Sequence, residues 1–185
     1  RRAPALAGTT QPEKGSRPKE GEVTSVILGI LYSNIAEWMI HKHLLHTLGK
    51  RRGSFWSFHF HEHHRRTTKG RGLDSAYEDG GFYGKEILAG LLLAASQLPF
   101  YHISPIFFFT TLIYMIIYYL VHVKSHKDIA WAKRWLPWHY DHHMGPVEAA
   151  NWGVVLPLAD YMAGTRVKYI GTQKYYLDEL KRNKN

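Results

Sequence analysis

Cysteine is absent from this chain of 185 residues, and acidic side chains are few beside basic ones. Without cysteine, disulfide bonds, thiolate metal sites and thiol catalysis are all excluded. The 24 Lys and Arg against 15 Asp and Glu give a formal net charge of +9 and a pI near 9.7. This charge is compatible with nucleic-acid binding, but the long apolar runs favour the basic loops of a membrane protein instead. We therefore expect no nucleic-acid partner.

Apolar residues are unevenly distributed along the chain. Residues 1–21 are rich in Pro, Gly, Lys and Ser and have little to bury, which predicts a disordered tail or linker. The apolar run over residues 23–40 is close to the ~20 residues that cross a bilayer. A second apolar block, residues 87–123, is interrupted between Pro99 and Pro105. Its arms of roughly 13 and 18 residues predict a short helical hairpin that returns to the side it left.

These features predict an all-α, integral membrane helical bundle. The membrane domain is predicted over residues 22–170, and a basic C-terminal tail over residues 171–185. Three apolar arms, rather than four, leave two readings of the topology. Either a further crossing precedes this sequence, or the N-terminus faces the side opposite to the C-terminus.

Most of the 13 histidines fall into four short clusters. The clusters occupy residues 41–46, 59–64, 122–126 and 139–143. If the hairpin returns to its own side, all four clusters share one face of the membrane. Basic residues over 50–52 and 65–71 share that face, and the positive-inside rule makes it cytoplasmic. The expected architecture is therefore a membrane bundle with a cytoplasmic, histidine-rich cap.

Two of the clusters have helical spacing. His122 and His126 are four residues apart, which places them on one face of a helix. His139, His142 and His143 have spacings of three and four, which again correspond to one helical face. Imidazole is a common ligand of iron, zinc and copper, so these faces are candidate metal sites.

The other two clusters depart from helical spacing. His41 and His46 are five residues apart, which suits an α-helix poorly, and His43 offers an alternative partner for His46. His63 and His64 are adjacent, so that one of them needs a loop or a distorted turn to reach a metal.

About ten imidazoles exceed the number that one ion accepts, because zinc takes about four ligands and iron up to about six. Two metals are therefore predicted. A shell of neutral imidazoles leaves the metals strongly cationic and favours supporting carboxylates, for which the candidates are Glu37, Glu62, Asp141 and Asp160. Two redox metals beside lipid suggest activation of dioxygen and attack on a C–H bond.

Four ordered histidine boxes and a closing motif match a known pattern. The boxes are Glu37-Trp38-Met39-Ile40-His41 through Leu44-Leu45-His46, His59 with His63-His64, His122-x-x-x-His126, and His139-x-x-His142-His143. The closing motif is Asn151-Trp152-Gly153, then Asp160, then Gly164-Thr165. With these motifs, residues 23–165 resemble the fatty acid hydroxylase/sterol desaturase superfamily of membrane-bound histidine-box di-iron enzymes.

The resemblance implies a set of metal ligands with no further catalytic group. The implied ligands are His41, His46, His59, His63, His64, His122, His126, His139, His142 and His143. In the second box, His61 is the alternative to His59. The resemblance and the carboxylate argument together indicate supporting roles for Glu37, Asp141, Asn151 and Asp160. His102, alone in the hairpin bend, is expected to bind no metal.

The resemblance also implies an activity. The chain is expected to hydroxylate a C–H bond of a fatty acyl or sterol-like lipid, using O2 and two Fe ions, with zinc as the metal that an isolated sample can contain. No cytochrome b5-like segment is visible, so electrons are expected from a separate carrier of the cytochrome b5 or ferredoxin type. The endoplasmic reticulum or a bacterial inner membrane is the expected location.

The sequence is also compatible with two alternative functions. A desaturase of the same superfamily would use the same residues, and the identity of the lipid is not specified by the sequence. A non-catalytic membrane zinc-binding protein is an alternative from another class. A zinc transporter would place ionisable residues inside its spans, and the apolar runs contain almost none.

Overall fold

The computed structural model describes residues 19–78 and 84–182, and within these residues the chain is helical with no β-strand. The predicted all-α membrane bundle is confirmed. Most of the predicted N-terminal tail, and residues 183–185, lie outside the described residues. In chain order the helices are α1 (Glu20–Met39), a first π-helix (Ile40–Leu48), a second π-helix (His59–His63), α2 (His64–Lys69), α3 (Ser75–Glu78), α4 (Gly84–Ser96), α5 (Leu98–Ile103), α6 (Pro105–Lys127), α7 (Ile129–Trp135), α8 (Pro137–Met144), α9 (Leu158–Ala163) and α10 (Gln173–Arg182).

Within residues 19–78 and 84–182, three helical stretches are long and apolar enough to cross a membrane: Glu20–Leu48, Gly84–Ile103 and Pro105–Lys127. Large apolar side chains on these stretches point outward, and Leu91 and Ile116 are 62% and 59% exposed. In water such continuous apolar faces would be unfavourable, whereas in a bilayer they contact lipid.

The hairpin arms are longer than the 13 and 18 residues predicted. Pro99 lies in the first turn of α5, where the missing N–H is not needed, so α4 and α5 form a nearly continuous stretch of 20 residues. The chain turns instead at Ser104, whose backbone is extended and whose Oγ accepts a hydrogen bond from Phe107 N. The second arm, α6, then has 23 residues, so both arms match the thickness of a bilayer.

Helices α1 and α6 form the centre of the bundle. A Cβ at Gly29 would lie 2.8 Å from Thr110 Cγ2, so the two helices approach closely where this glycine stands. Five residues later, Asn34 Nδ2 donates to Tyr114 Oη across the same interface at 3.1 Å. Small residues and interhelical hydrogen bonds of this kind hold helices together where water provides no hydrophobic driving force.

Part of the segment predicted as a basic C-terminal tail, residues 171–185, is helical. Residues Gln173–Arg182 form α10, which packs beside α7. Lys133 Nζ donates to Tyr175 Oη at 3.0 Å and to Glu179 Oε2 at 3.2 Å, and the rings of Tyr169 and Tyr175 are in edge contact. These contacts link distant positions, which a local reading of composition does not reveal.

Candidate metal centre

One group of five histidines lies where the first π-helix, the second π-helix and α8 meet. One ring nitrogen from each lies within 4.8 Å of those of the others; the members of this first centre are His41, His46, His59, His64 and His142. His59 Nε2 lies 3.1 Å from His41 Nε2 and 3.2 Å from His64 Nε2. Two nitrogens bound at right angles to one ion, each ~2.1 Å from it, would be ~3.0 Å apart. The spacing therefore fits a shared ion.

A second group lies beside it, with nitrogens from His63, His122, His126 and His143 within 4.8 Å of one another. His139 belongs with them, since its Nε2 lies 3.0 Å from His126 Nε2 and its ring contacts those of His122 and His143. These five residues form the second centre. The structure thus brings together all ten predicted ligands, in two sets of five.

Burial keeps these imidazoles neutral. It lowers the pKa of His142 to about 4, and it lowers the pKa values of His63, His139 and His143 well below the ordinary value. Desolvation disfavours the imidazolium form, and the neighbouring histidines oppose it further. At neutral pH the ring lone pairs are therefore available to a metal.

Several ring nitrogens in the two centres are buried without a hydrogen-bond partner. Within the described part of the chain, these include His63 Nε2, His122 Nε2 and His143 Nε2 in the second centre and His46 Nδ1 in the first. An unpartnered buried nitrogen costs free energy, and a metal ion removes that cost. The residues therefore fit a metal, and a donor set of imidazoles suits iron, zinc or copper.

The two π-helices explain the five-residue spacing. In an α-helix, positions five apart point about 140° away from each other. A π-helix closes its hydrogen bonds from residue i to i+5, which brings such positions onto one side. His41 and His46 lie at this spacing in the first π-helix, and His59 and His64 at the second, with ring centroids 5.1 and 4.9 Å apart. A distorted turn was predicted in the second box so that His63 or His64 could reach a metal, whereas the π-helix there brings His59 and His64 together.

Adjacent histidines divide between the centres. His64 and His142 belong to the first centre, whereas their neighbours His63 and His143 belong to the second. Neighbouring side chains on a helix point about 100° apart, so that each pair can face two sites on either side of its backbone. The start of α2 and the end of α8 therefore lie between the two centres.

A buried carboxylate that the sequence reasoning missed supports the second centre. His63 Nδ1 donates to Asp74 Oδ2 at 2.7 Å, and Arg66 Nε donates to Asp74 Oδ1 at 2.5 Å. Asp74 is fully buried. Nearby, His126 Nδ1 donates to Gly72 O at 2.8 Å. The only signal for Asp74 in the sequence is an acidic residue in an otherwise basic loop.

Thr67 orients a further ligand of the second centre. Its Oγ1 lies 3.1 Å from His143 Nδ1 and also 3.1 and 3.0 Å from the carbonyl oxygens of His63 and His64. In the tautomer that leaves Nε2 free for a metal, His143 Nδ1–H donates to the hydroxyl oxygen, and the hydroxyl proton goes to a carbonyl. The Nε2 lone pair of His143 is thereby left for a metal.

The first centre is supported by main-chain carbonyls. His41 Nδ1 donates to Trp152 O at 2.6 Å, and His142 Nδ1 donates to Ala150 O at 2.8 Å. Between these two carbonyls lies Asn151, whose φ of 61° is in the left-handed region that asparagine tolerates. The bend at Asn151 thus separates the two carbonyls that hold the two rings.

Asp160 and Asn151, which were predicted to support the metals, form hydrogen bonds within the loop around Asn151 and not with the imidazoles. Asp160 accepts hydrogen bonds from Trp152 N at 2.9 Å and Gly153 N at 2.7 Å. Asn151 Oδ1 accepts from Val167 N at 2.9 Å.

Two further carboxylates link neighbouring segments of the chain through hydrogen bonds. Glu37 accepts from Val154 N, from Val155 N and from Tyr114 Oη. Asp141 accepts from Arg166 Nη2 and from Ile170 N. Glu62, the remaining candidate, pairs with Lys85 at 2.8 Å on the surface.

Three histidines lie outside both centres. His43 and His102 are exposed, and His43 packs its ring edge-on against Trp38. His61 Nε2 lies 3.0 Å from Lys50 O. Of the two alternatives for the second box, the structure places His59 in a centre and His61 outside it.

A model of the fatty acid hydroxylase family matches residues 26–165, which include both centres and the closing loop. This chain belongs to the fatty acid hydroxylase family. The resemblance inferred from the histidine boxes is thereby confirmed. The family implies a metal-dependent oxidoreductase of the lipid hydroxylase or desaturase type, associated with a membrane. Comparison with curated proteins gave no significant match, and neither did comparison with solved structures.

In this fatty acid hydroxylase family member, a cavity of about 170 Å³ lies between α1, α4 and α6. Its wall is mostly apolar, as a lipid-binding cavity requires. One end is formed by His41 and His59 of the first centre and by His122 of the second. The other end extends between the spans toward Ser33 and Gln97. A lipid chain in this cavity would meet both centres at one end.

Proposed function

We propose that this protein is a membrane-bound, non-haem di-iron oxygenase that hydroxylates a C–H bond of a lipid with O2 and external electrons. The observation that supports this most strongly is the pairing of two all-histidine centres with one apolar cavity whose end they share. A metal-binding protein without a lipid reaction has no need for the cavity, and a lipid carrier has no need for ten buried histidines.

Each centre would hold one iron through its five imidazoles. Iron would supply the reductive activation of dioxygen and the oxidation of the C–H bond. The chain keeps the rings neutral by burial and fixes their orientation, since Asp74, Thr67 and the carbonyls of Ala150 and Trp152 accept from Nδ1–H. Partners of this kind set the tautomer and the basicity of a ligating imidazole.

The cavity would position the lipid. Its apolar wall excludes water and aligns a fatty acyl or sterol-like chain along α1 and α6. Because His41, His59 and His122 line one end, a carbon there lies next to both centres. Hydroxylation and desaturation would use the same arrangement, and we propose hydroxylation as the principal reaction and desaturation as the alternative.

The residues around the centres suggest which side of the membrane the histidines face. Lys50, Arg51, Arg65 and Lys69 are exposed near the histidine end of the spans, which supports a cytoplasmic orientation in the endoplasmic reticulum or a bacterial inner membrane. We propose a separate cytochrome b5-like or ferredoxin-like protein as the electron donor.

A non-catalytic zinc-binding role is the competing proposal, since imidazoles also suit zinc. Zinc usually takes about four ligands, whereas iron accepts up to about six, so the five imidazoles of the first centre favour iron there.

Metal analysis of anaerobically purified protein, followed by oxygen uptake with a reductant and candidate lipids, tests the proposal. We expect two irons per chain and a hydroxylated lipid that carries 18O from labelled O2. Formation of an alkene without label would indicate the desaturase. Tightly bound zinc, with no turnover under any reducing system, would overturn the proposal.

A further inference from the structure

Residues 154–163, which include α9, expose apolar side chains and no charge. Tyr161 and Met162 are 66% and 70% exposed, and Leu158 is 40% exposed. The one charged residue of the segment, Asp160, is fully buried and accepts hydrogen bonds from the loop of the first centre. An exposed apolar surface of this kind is unfavourable in water and indicates contact with lipid or protein. The segment lies outside the three apolar stretches that are long enough to cross a membrane.

Hydrogen bonds hold this segment against α1. Asn34 Nδ2 donates to Leu156 O at 2.7 Å, and Asn34 Oδ1 accepts from Ala159 N at 2.9 Å. One turn further along, Trp38 Nε1 donates to Thr165 Oγ1 at 3.0 Å, just beyond the end of α9. The segment therefore packs beside α1 over the stretch from Asn34 to Trp38.

The charges along this span indicate how deep the stretch lies in the bilayer. Between Glu22 and Lys42 the only charged residue is Glu37, which is buried. Glu22 and Lys42 are about 30 Å apart along a helix, which equals the thickness of the hydrocarbon core. Asn34 and Trp38 precede Lys42 by two turns and one turn, which places them about 12 and 6 Å below that boundary. The packed segment thus lies at the depth of the acyl chains, on the histidine side of the membrane.

Polar side chains inside the span pair with the backbone of the segment. Glu37 accepts from Val154 N and Val155 N, and Asn34 pairs with two further backbone groups. Unpaired backbone groups are costly in hydrocarbon, so a loop can enter a bilayer only where partners of this kind are present. Pro157 has no N–H that would need a partner. Lipid insertion of the segment therefore explains why two polar residues lie within an apolar span.

We propose that residues 154–163 are inserted among the acyl chains of the leaflet on the histidine side, with Tyr161 and Met162 in contact with lipid. Ile35, within the same stretch of α1, is 43% exposed, so the lipid-facing surface of the span continues onto the segment. Asp160 of this segment holds the loop whose carbonyls orient ligands of the first centre. Insertion would therefore fix that loop against the membrane.

Site-directed nitroxide labelling tests the proposal, because the chain has no native cysteine that would also react. Met162→Cys carries the label on the proposed lipid-facing surface. Ile116→Cys, on the exposed apolar face of α6, is the reference for lipid, and Arg51→Cys, in the basic turn after the first π-helix, is the reference for water. In phosphatidylcholine vesicles, electron paramagnetic resonance measures how often each label collides with O2 and with a charged nickel chelate. Circular dichroism of each labelled variant establishes that it is folded.

We expect the chelate to collide with the label at position 162 about tenfold less often than at position 51, because charged groups are excluded from hydrocarbon. Oxygen should collide with it about as often as with the label at position 116. Equal access of the chelate to positions 162 and 51 would overturn the proposal. Low collision rates with both reagents at position 162 would show that protein, such as a second copy of the chain, covers the segment, and would overturn it equally. None of these measurements depends on a metal in the two centres or on turnover, so their outcome leaves the oxygenase standing.

Discussion

The two histidine centres lie side by side, yet different kinds of group hold them. In the first centre, His41 and His142 donate to carbonyl oxygens of a loop that follows α8. In the second centre, His63 and His143 donate to the side chains of Asp74 and Thr67, and His126 donates to the carbonyl oxygen of Gly72. The position of a carbonyl depends on the conformation of its loop, whereas the effect of a side-chain partner depends on the charge and polarity of that one residue. The first centre therefore depends on a distant loop and the second on a few individual side chains.

The charge of Asp74 makes the two centres electronically unequal. A carboxylate that accepts from a ligating imidazole raises the basicity of that ligand and strengthens its bond to the metal. We therefore expect the second centre to bind metal more tightly than the first. Substitutions at ligands and at supporting residues of both centres test this difference.

Removing adjacent ligands should affect different centres. His142→Ala should lower metal affinity in the first centre, and His143→Ala in the second, each by more than the roughly 100-fold that loss of a supporting partner can cause. Iron content after dialysis against a chelator, together with Mössbauer spectra of each variant, measures the effect. His43→Ala, at an exposed histidine, is the control. Loss of the same spectral component in both variants would contradict the assignment of His142 and His143 to different centres.

Asp74→Ala should weaken the second centre alone. The substitution leaves His63 Nδ1 and Arg66 without their buried acceptor, so we expect metal affinity there to fall by about 10- to 100-fold. Chelator competition measures the affinity of each centre. Asp128→Ala, at a partly exposed helix cap on α7, controls for the loss of an aspartate. An equal loss from both centres would show that Asp74 supports the whole fold instead.

Asp160→Ala should weaken the first centre by loosening its loop. Three hydrogen bonds to Trp152 N, Gly153 N and Thr165 Oγ1 are lost, which should lower the free energy of unfolding by about 3 kcal/mol. Metal affinity of the first centre should fall by about tenfold, while the second is little changed. Thermal unfolding and chelator competition measure the two effects. If the variant is less stable but the first centre binds metal as tightly as in the wild-type protein, then the loop does not influence metal binding.

Thr67→Val should have the smallest effect, confined to the second centre. The variant keeps the shape of the side chain but removes the acceptor for His143 Nδ1–H, which should weaken metal binding by about fivefold. Thr67→Ser, which retains the hydroxyl, should bind metal like the wild-type protein. If the serine variant is as weak as the valine variant, then packing of the methyl group is responsible, and not the hydroxyl.

Residue identity and spacing were enough to predict the helices and the histidine boxes. The apolar runs predicted a membrane bundle, and His122 and His126 meet as their spacing indicates. Of the three histidines predicted to share one face of the last box, His139 and His143 lie in the second centre, whereas His142 lies in the first. The family followed from the same ordered boxes. These features depend on positions close together in sequence, where the period of a helix determines which side chains meet.

Other features depend on tertiary contacts. The spacing of His41 and His46 was predicted to suit an α-helix poorly, and the structure shows that a π-helix there brings the two rings together. Asp74 belongs to no motif, and its role arises because its loop folds against His63. The hairpin arms were predicted too short because Pro99 was taken as a break, although a proline in the first turn of a helix is tolerated.

The division of adjacent histidines between the centres fixes how far apart the two ions would lie. Among the residues that the structure describes, neither centre includes a carboxylate that could bridge two ions. The separation is set instead by the main chain between His63 and His64 and between His142 and His143. A backbone is stiffer than a carboxylate side chain, which can shift between binding modes. With an ion in each centre, this main chain would act as a rigid spacer, and the space between the ions would stay nearly constant while a bound molecule changes.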